Sequence, residues 1–185
     1  MSLNLKNLET CEGNMIQVEK TDIEGLLLIQ PDIFEDERGT YVQLYDSIDY
    51  ENIIPKEIKF VQEDYSYSVQ NVLRGIHGDY DTAKLISIVY GSVFDVVIDN
   101  RPESSTYLKH QCFYLSRESG QQLFIPEGCG NGMLALSMNV IFHYKQTSHY
   151  TPGTQFTIKW DDERFDIPWP ITQPILSKRD LLGKY

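Results

Sequence analysis

The feature that most constrains this chain is the rhythm of its apolar residues. From Ile16 to about Trp160, short runs rich in Val, Ile, Tyr and Phe are cut by Gly, Pro, Asn or Asp. Such runs suit pleated, half-buried backbone, and the residues between them suit tight turns. The first half predicts strands over Leu26–Ile29, Thr40–Tyr45, Lys59–Tyr67, Val72–His77, Ala83–Tyr90 and Ser92–Asp99. The second half predicts them over Lys109–Leu115, Gln122–Ile125, Met133–Met138, Val140–Thr147 and Phe156–Lys159. Helical periodicity is weak throughout: only Asp46–Ile54 and Lys178–Leu182 predict short helices, and neither could build a core. Many short strands with so little helix predict an all-β sandwich or barrel with a few short helices.

No linker, repeat or low-complexity tract interrupts the 185 residues, so one domain spanning residues 1–185 is expected, with residues 1–15 as a mobile lead-in. With 16 Lys+Arg against 27 Asp+Glu the net charge is −11, which argues against nucleic acid as a partner because phosphate backbones attract clustered cations. A few converging basic residues could still hold an anionic small molecule. The longest apolar runs, such as Leu26–Ile29 and Val93–Ile98 with Asp95 inside it, fall far short of the roughly 20 residues of a membrane helix, so no span is expected. The N-terminus lacks a basic segment followed by an apolar stretch, and a cytoplasmic location is expected. Cys11, Cys112 and Cys129 have no paired metal-ligand spacing and read as reduced thiols. The 12 Tyr, 8 Phe and 2 Trp exceed what a barrel core requires, and some are expected to line a pocket that stacks a base or sugar.

Among the four histidines, His77 stands out because it closes the strand Asn71-Val-Leu-Arg-Gly-Ile-His77. Alternation points Leu73, Gly75 and His77 to one face and Arg74 to the other, unless a bulge at Gly75 re-aims them. A lone strand-end histidine is ordinarily a hydrogen-bonded structural residue, so it needs company to count as a catalyst. Barrels of the cupin type often hold a metal with a His-x-His pair, but His77 is followed by Gly78, Asp79 and Tyr80. His110, His143 and His149 add no compact ligand set, so no metal is expected. Neither a nucleophile elbow nor a phosphate loop is present, because the Gly-rich run Glu127–Gly132 lacks a strand-to-helix setting. Hydrolase and nucleotidase chemistry therefore lose ground.

Four stretches together carry a resemblance: Phe34-Glu-Asp-Glu-Arg-Gly39, Asn71-Val-Leu-Arg-Gly-Ile-His77, Gln122-Leu-Phe-Ile-Pro-Glu-Gly128, and Trp160-Asp-Asp-Glu163 running on to Leu176-Ser-Lys-Arg-Asp180. In order and spacing the chain resembles the dTDP-4-dehydrorhamnose 3,5-epimerase family over roughly Ile16 to Asp180. The resemblance implies a cupin-like double-stranded β-helix (jelly roll), a homodimer, no metal and no cofactor. It implies as substrate a nucleotide-diphosphate-linked 4-keto sugar in capsule or O-antigen synthesis. His77 matches the family's general base and Asp180 the carboxylate that orients it and favours its charged form. Tyr144 matches the acid across the sugar ring, and Lys84 the cation beside the ketone oxygen. Arg38 and Arg74 match arginines on the diphosphate, while Phe34, Gln62 and Tyr150 match residues around the nucleotide and sugar.

The family pattern is not followed everywhere. A family histidine appears as Asn131, a glutamate near the nucleotide as Gln43, and an asparagine after Gln62 as Asp64. The short path from His77 to Lys84 reshapes the sugar pocket; the Arg74-Gly-Ile-His-Gly-Asp79 run and the Asn131 turn look more like relatives acting on GDP-linked 4-keto heptoses, and hexoses carried on dTDP or CDP stay open as substrates. Because Asn cannot transfer a proton as His can, the change at Asn131 implies inversion chiefly at carbon 3 and poorly at carbon 5. A catalytically idle sugar-nucleotide binder and a 3,4-ketoisomerase are the alternatives.

Overall fold

The structure is a computed structural model that describes Glu9–Thr10 and residues 16–184. In chain order the first strands are β1 (Glu9–Thr10), β2 (Gln17–Lys20), β3 (Leu27–Gln30), β4 (Ile33–Asp36) and β5 (Gly39–Val42). Then come β6 (Gln62–Val69), β7 (Leu73–Gly78), β8 (Lys84–Tyr90), β9 (Ser92–Asp99) and β10 (His110–Ser116). The last are β11 (Gln122–Ile125), β12 (Cys129–Ala135), β13 (Asn139–Gln146) and β14 (Phe156–Thr157), followed by the helix α1 (Lys178–Leu182). A seven-stranded sheet, ordered β1-β2-β3-β11-β8-β13-β6, and a five-stranded sheet, ordered β10-β9-β12-β7-β14, make up the body. The β4–β5 hairpin forms a sheet of its own.

Apolar side chains from both sheets meet between them, among them Ile86, Val97, Phe113, Leu123, Ala135 and Val140. A second cluster lies on the other face of the small sheet, where Ile158, Phe165 and Trp169 from the C-terminal segment cover Ile76, Phe94, Val96 and Ile98. Covering both faces explains why β9 is buried almost end to end and shows no polar alternation. The third cluster backs the large sheet, where Tyr50 and Ile54 pack on Ile29, Leu85 and Phe124.

The segment predicted as a helix over Asp46–Ile54 is a succession of turns instead. Tyr50 N–H bonds to Asp46 O and Ile54 N–H to Tyr50 O, while Glu51 N–H reaches only Ile48 O. Asp46 turns its side chain back onto the Ile48 N–H at 2.8 Å, and Pro55 ends the run, so one-turn spacing survives without a continuous helix. Among the described residues α1 is thus the one α-helix where a few short ones were expected. Cys129 to Gly132 of the Gly-rich run, outside the predicted strands, belong to β12, which begins at Cys129 rather than Met133. Those glycines are required by contact: a Cβ at Gly132 would lie 2.8 Å from Ile76. The mobile lead-in expected over residues 1–15 lies outside the described residues apart from Glu9–Thr10, which pair with β2.

Candidate active site

A cavity of about 510 Å³ opens between the two sheets. Gln62, Asp64 and Ser66 on β6, Lys84 on β8, and Phe142, Tyr144 and Gln146 on β13 form its large-sheet wall. Arg74 and His77 on β7, with Asn131 and Met133 on β12, form the opposite wall.

Arg74 and His77 share this cavity because of an irregularity in the ladder. Asn131 pairs with His77 and Met133 with Arg74, so β7 carries one residue more than β12 over that interval. An extra residue inverts the alternation beyond it and brings two side chains of odd separation to one face. Gly75 makes the bulge possible: its φ is +120°, and a Cβ there would lie 2.6 Å from Asn131 O.

The C-terminal segment carries the carboxylate back to this bulge. Leu73 N–H donates to Ile175 O at 3.0 Å and Ile175 N–H to Asn71 O at 2.8 Å, which docks residues 175–180 beside β7. Ser177 caps α1, accepting from the Asp180 N–H at 3.1 Å, while its hydroxyl donates to Asp180 Oδ2 at 2.7 Å. Asp180 Oδ1 is then 2.6 Å from His77 Nε2. Burial raises the pKa of the Asp180 carboxyl, but hydrogen bonds from His77, Ser177 and the Gly75 backbone outweigh it and hold it below the usual carboxylate value. Asp180 is therefore ionised, Nε2 of His77 carries the proton it donates, and Nδ1 is the basic nitrogen.

Asp180 favours the charged imidazolium, as the resemblance implies, yet it does not win. Burial pulls the His77 pKa down, and Arg179 and Lys84 add to that, so the net value lies below that of a free histidine. The resting imidazole is neutral, the state a base needs. Burial also brings Lys84 down to about 8, still charged for the most part at neutral pH. Across the cavity, burial and then the charge of Asp64 raise the Tyr144 pKa and keep its phenol protonated.

Arg74 sits on the exposed side, its guanidinium anchored by Nε to Ser68 Oγ at 2.9 Å and by Nη2 to Tyr67 O at 3.2 Å. Gln62 acts within the protein: Nε2 donates to Asp64 Oδ2 at 2.6 Å, and Oε1 accepts from the Tyr150 N–H at 2.9 Å. Eight of the ten residues singled out from the sequence thus line one cavity: His77, Tyr144, Asp180, Lys84, Arg74, Gln62, Asn131 and Tyr150. Arg38 and Phe34 do not. They lie on the β4–β5 hairpin, Phe34 packed on Tyr41 and both exposed, Arg38 paired with Asp36. Sequence reasoning missed Ser66, Phe142 and Gln146, which two-residue alternation from Gln62 and Tyr144 would have found, and Gln155 and Ser177, which no local pattern marks.

A neutral imidazole oriented by a buried carboxylate, a phenol on the facing wall and a lysine in the same chamber can take a proton from one face of a carbon acid, hold the resulting anion and return a proton to the other face. The chain belongs to the dTDP-4-dehydrorhamnose 3,5-epimerase family, whose model matches residues 20–184. It is 41% identical to the dTDP-4-dehydrorhamnose 3,5-epimerase of Salmonella typhimurium over 170 residues, 90% of this chain and 93% of that one. It is 34% identical over 161 residues to the dTDP-4-dehydrorhamnose 3-epimerase of Streptomyces niveus, covering 85% of this chain and 78% of that one. The dTDP-6-deoxy-D-glucose-3,5-epimerase of Legionella pneumophila, solved with dTDP-4-keto-L-rhamnose, superposes with a TM-score of 0.87 at 35% identity over 91% of this chain and 92% of that one.

Proposed function

We propose that this protein inverts a carbon beside the ketone of a nucleotide-diphosphate-linked 4-keto-6-deoxy sugar, supplying an activated sugar for surface polysaccharide. The observation that carries the reading is the pairing of His77 and Tyr144 on facing walls of one cavity. His77 Nδ1 takes the proton from the carbon next to the ketone, and the electron pair moves onto the carbonyl oxygen. The Lys84 ammonium stabilises that enolate oxygen. Tyr144 then gives its proton to the same carbon from the other side, which reverses the configuration. Both groups return to their resting states by exchange with solvent, so atoms balance without a redox partner. Arg74 at the rim suits the diphosphate, since its forked, permanent charge matches phosphate oxygens.

Asn131 has no titratable proton, so carbon 3 inverts efficiently and carbon 5 slowly. The existence of a 3-epimerase among the relatives is in keeping with this restriction. The protein acts as a cytoplasmic homodimer, each β4–β5 hairpin delivering Arg38 and Phe34 to the nucleotide end of the partner's cavity. Support for that comes from the exposure of Phe34 and Tyr41, at 56% and 63%, on a hairpin that contributes no residue to the lining of the cavity described above.

The test is incubation with dTDP-, CDP- and GDP-linked 4-keto hexoses and heptoses in deuterated water, followed by NMR. Deuterium at carbon 3 with the ketone still at carbon 4 is expected. Tight binding with no incorporation from any member of the panel would make the protein an idle binder, and a ketone moved to carbon 3 would make it a ketoisomerase.

A further inference from the structure

Behind Asn131 lies a buried group that the reaction described above does not use. Asp95 has no exposed surface and stands on β9, the strand paired with β12. Asn131 Nδ2 donates one hydrogen to Asp95 Oδ1 at 2.8 Å and the other to Val96 O at 3.2 Å. An amide nitrogen has two hydrogens and both are now spent. The carbonyl oxygen of the same amide makes no hydrogen bond among the described residues, and Asn131 lines the cavity.

Burial raises the Asp95 carboxyl well above its usual range, which favours the neutral acid, and its Oδ1 accepts from Asn131. Asp95 Oδ2 is buried and without a partner among the described residues. A neutral acid there leaves the amide anchored without putting a second negative charge under a site that takes an anionic substrate.

We infer that Asn131 is a specificity-determining residue whose Oδ1 accepts a hydrogen bond from a ring hydroxyl of the sugar, and that Asp95 is the positioning residue that keeps the amide in that orientation. This rests on the epimerase reading above. An acceptor that cannot turn over rejects a sugar lacking the hydroxyl, because the carbonyl would then be desolvated without a partner. With the anchor removed, the amide can rotate, present donors instead, and lose the distinction.

The probes are dTDP-4-keto-6-deoxyglucose and its 2-deoxy and 3-deoxy analogues, compared by the rate of solvent deuterium exchange beside the ketone. The unaltered protein is expected to prefer the parent over one of the two analogues by about 10- to 100-fold. Asn131→Leu and Asp95→Leu are each expected to shrink the ratio of the parent's rate to that analogue's rate to within about threefold. Asp95→Asn restores the preference, since an amide keeps both the accepting oxygen and the absence of charge. A preference that survives Asn131→Leu, or that Asp95→Asn fails to restore in a protein with an unchanged circular dichroism spectrum and Tm, overturns the inference. Absence of any exchange by the unaltered protein is a different result, one that removes the epimerase reading itself.

Discussion

At the residue scale the proposed mechanism depends on two ionisable groups being set apart. Burial lowers His77 and raises Tyr144, so the base is empty and the acid is full at the same pH. Activity is expected to rise with pH through the depressed His77 pKa, on the acid side of 6.5, as the imidazole loses its proton. It is expected to fall again near 8, where Lys84 loses the charge that holds the enolate. A profile of kcat/KM against pH checks both limbs; an acid limb lying above 6.5 would contradict the burial argument. Tyr144→Phe separates the two half-reactions. Net inversion should drop by about 10²- to 10⁴-fold, while exchange of the substrate proton, which needs only His77 and Lys84, persists. His77→Asn should abolish both with the Tm unchanged, and surviving exchange in that variant would remove His77 from its role.

At the scale of elements, a five-residue helix holds the carboxylate that orients the proposed base. Its N-cap residue Ser177 serves twice, accepting from a backbone N–H and donating to the Asp180 carboxylate. Ser177→Ala is therefore expected to cost about 1 kcal/mol of stability, as lost N-caps do. It also frees Asp180 from one of its two side-chain partners, so exchange slows as well. Thermal denaturation and deuterium exchange measured on the same sample test this, and a lower Tm with an unchanged rate would confine Ser177 to a capping role. The bulge on β7 is the second such element. Gly75→Ala places a Cβ against Asn131 O at a φ of +120°, and a loss of at least about 1–3 kcal/mol is expected in chemical denaturation.

At the scale of the whole molecule the β4–β5 hairpin poses the main question, because residues matched to the nucleotide stand apart from the cavity. If the hairpin serves a partner's site, Arg38→Ala and His77→Asn proteins are each impaired alone, yet mixed dimers regain a complete site. In such a dimer the intact His77 and the intact hairpin meet in one of the two cavities. Unfolding and refolding the two variants together and measuring exchange tests it; activity no greater than the sum of the separate samples would place the hairpin outside the site.

Much of this was legible along the chain. Alternating Val, Ile, Tyr and Phe marked the strands, and Ser92–Asp99 and Gln122–Ile125 agree residue for residue with β9 and β11. His77, Lys84, Tyr144 and Asp180 were nominated by the resemblance of the segments around them to a known family. The strand at Cys129 was not legible, since glycines chosen for close approach to Ile76 look like loop until the facing strand is known. Asp46–Ile54 read as helix because Tyr50 and Ile54 keep one-turn spacing, which a succession of turns also provides. By itself, then, the sequence determined the all-β class, which rests on local pattern, and nominated the reacting groups, which rest on resemblance to a family. Only the tertiary structure decided that Arg74 and His77 share a face, that the imidazole is neutral, and that Asn131 is pinned by Asp95. Those outcomes depend on ladder register, desolvation and contacts between residues far apart in the chain, quantities that no local stretch of sequence contains.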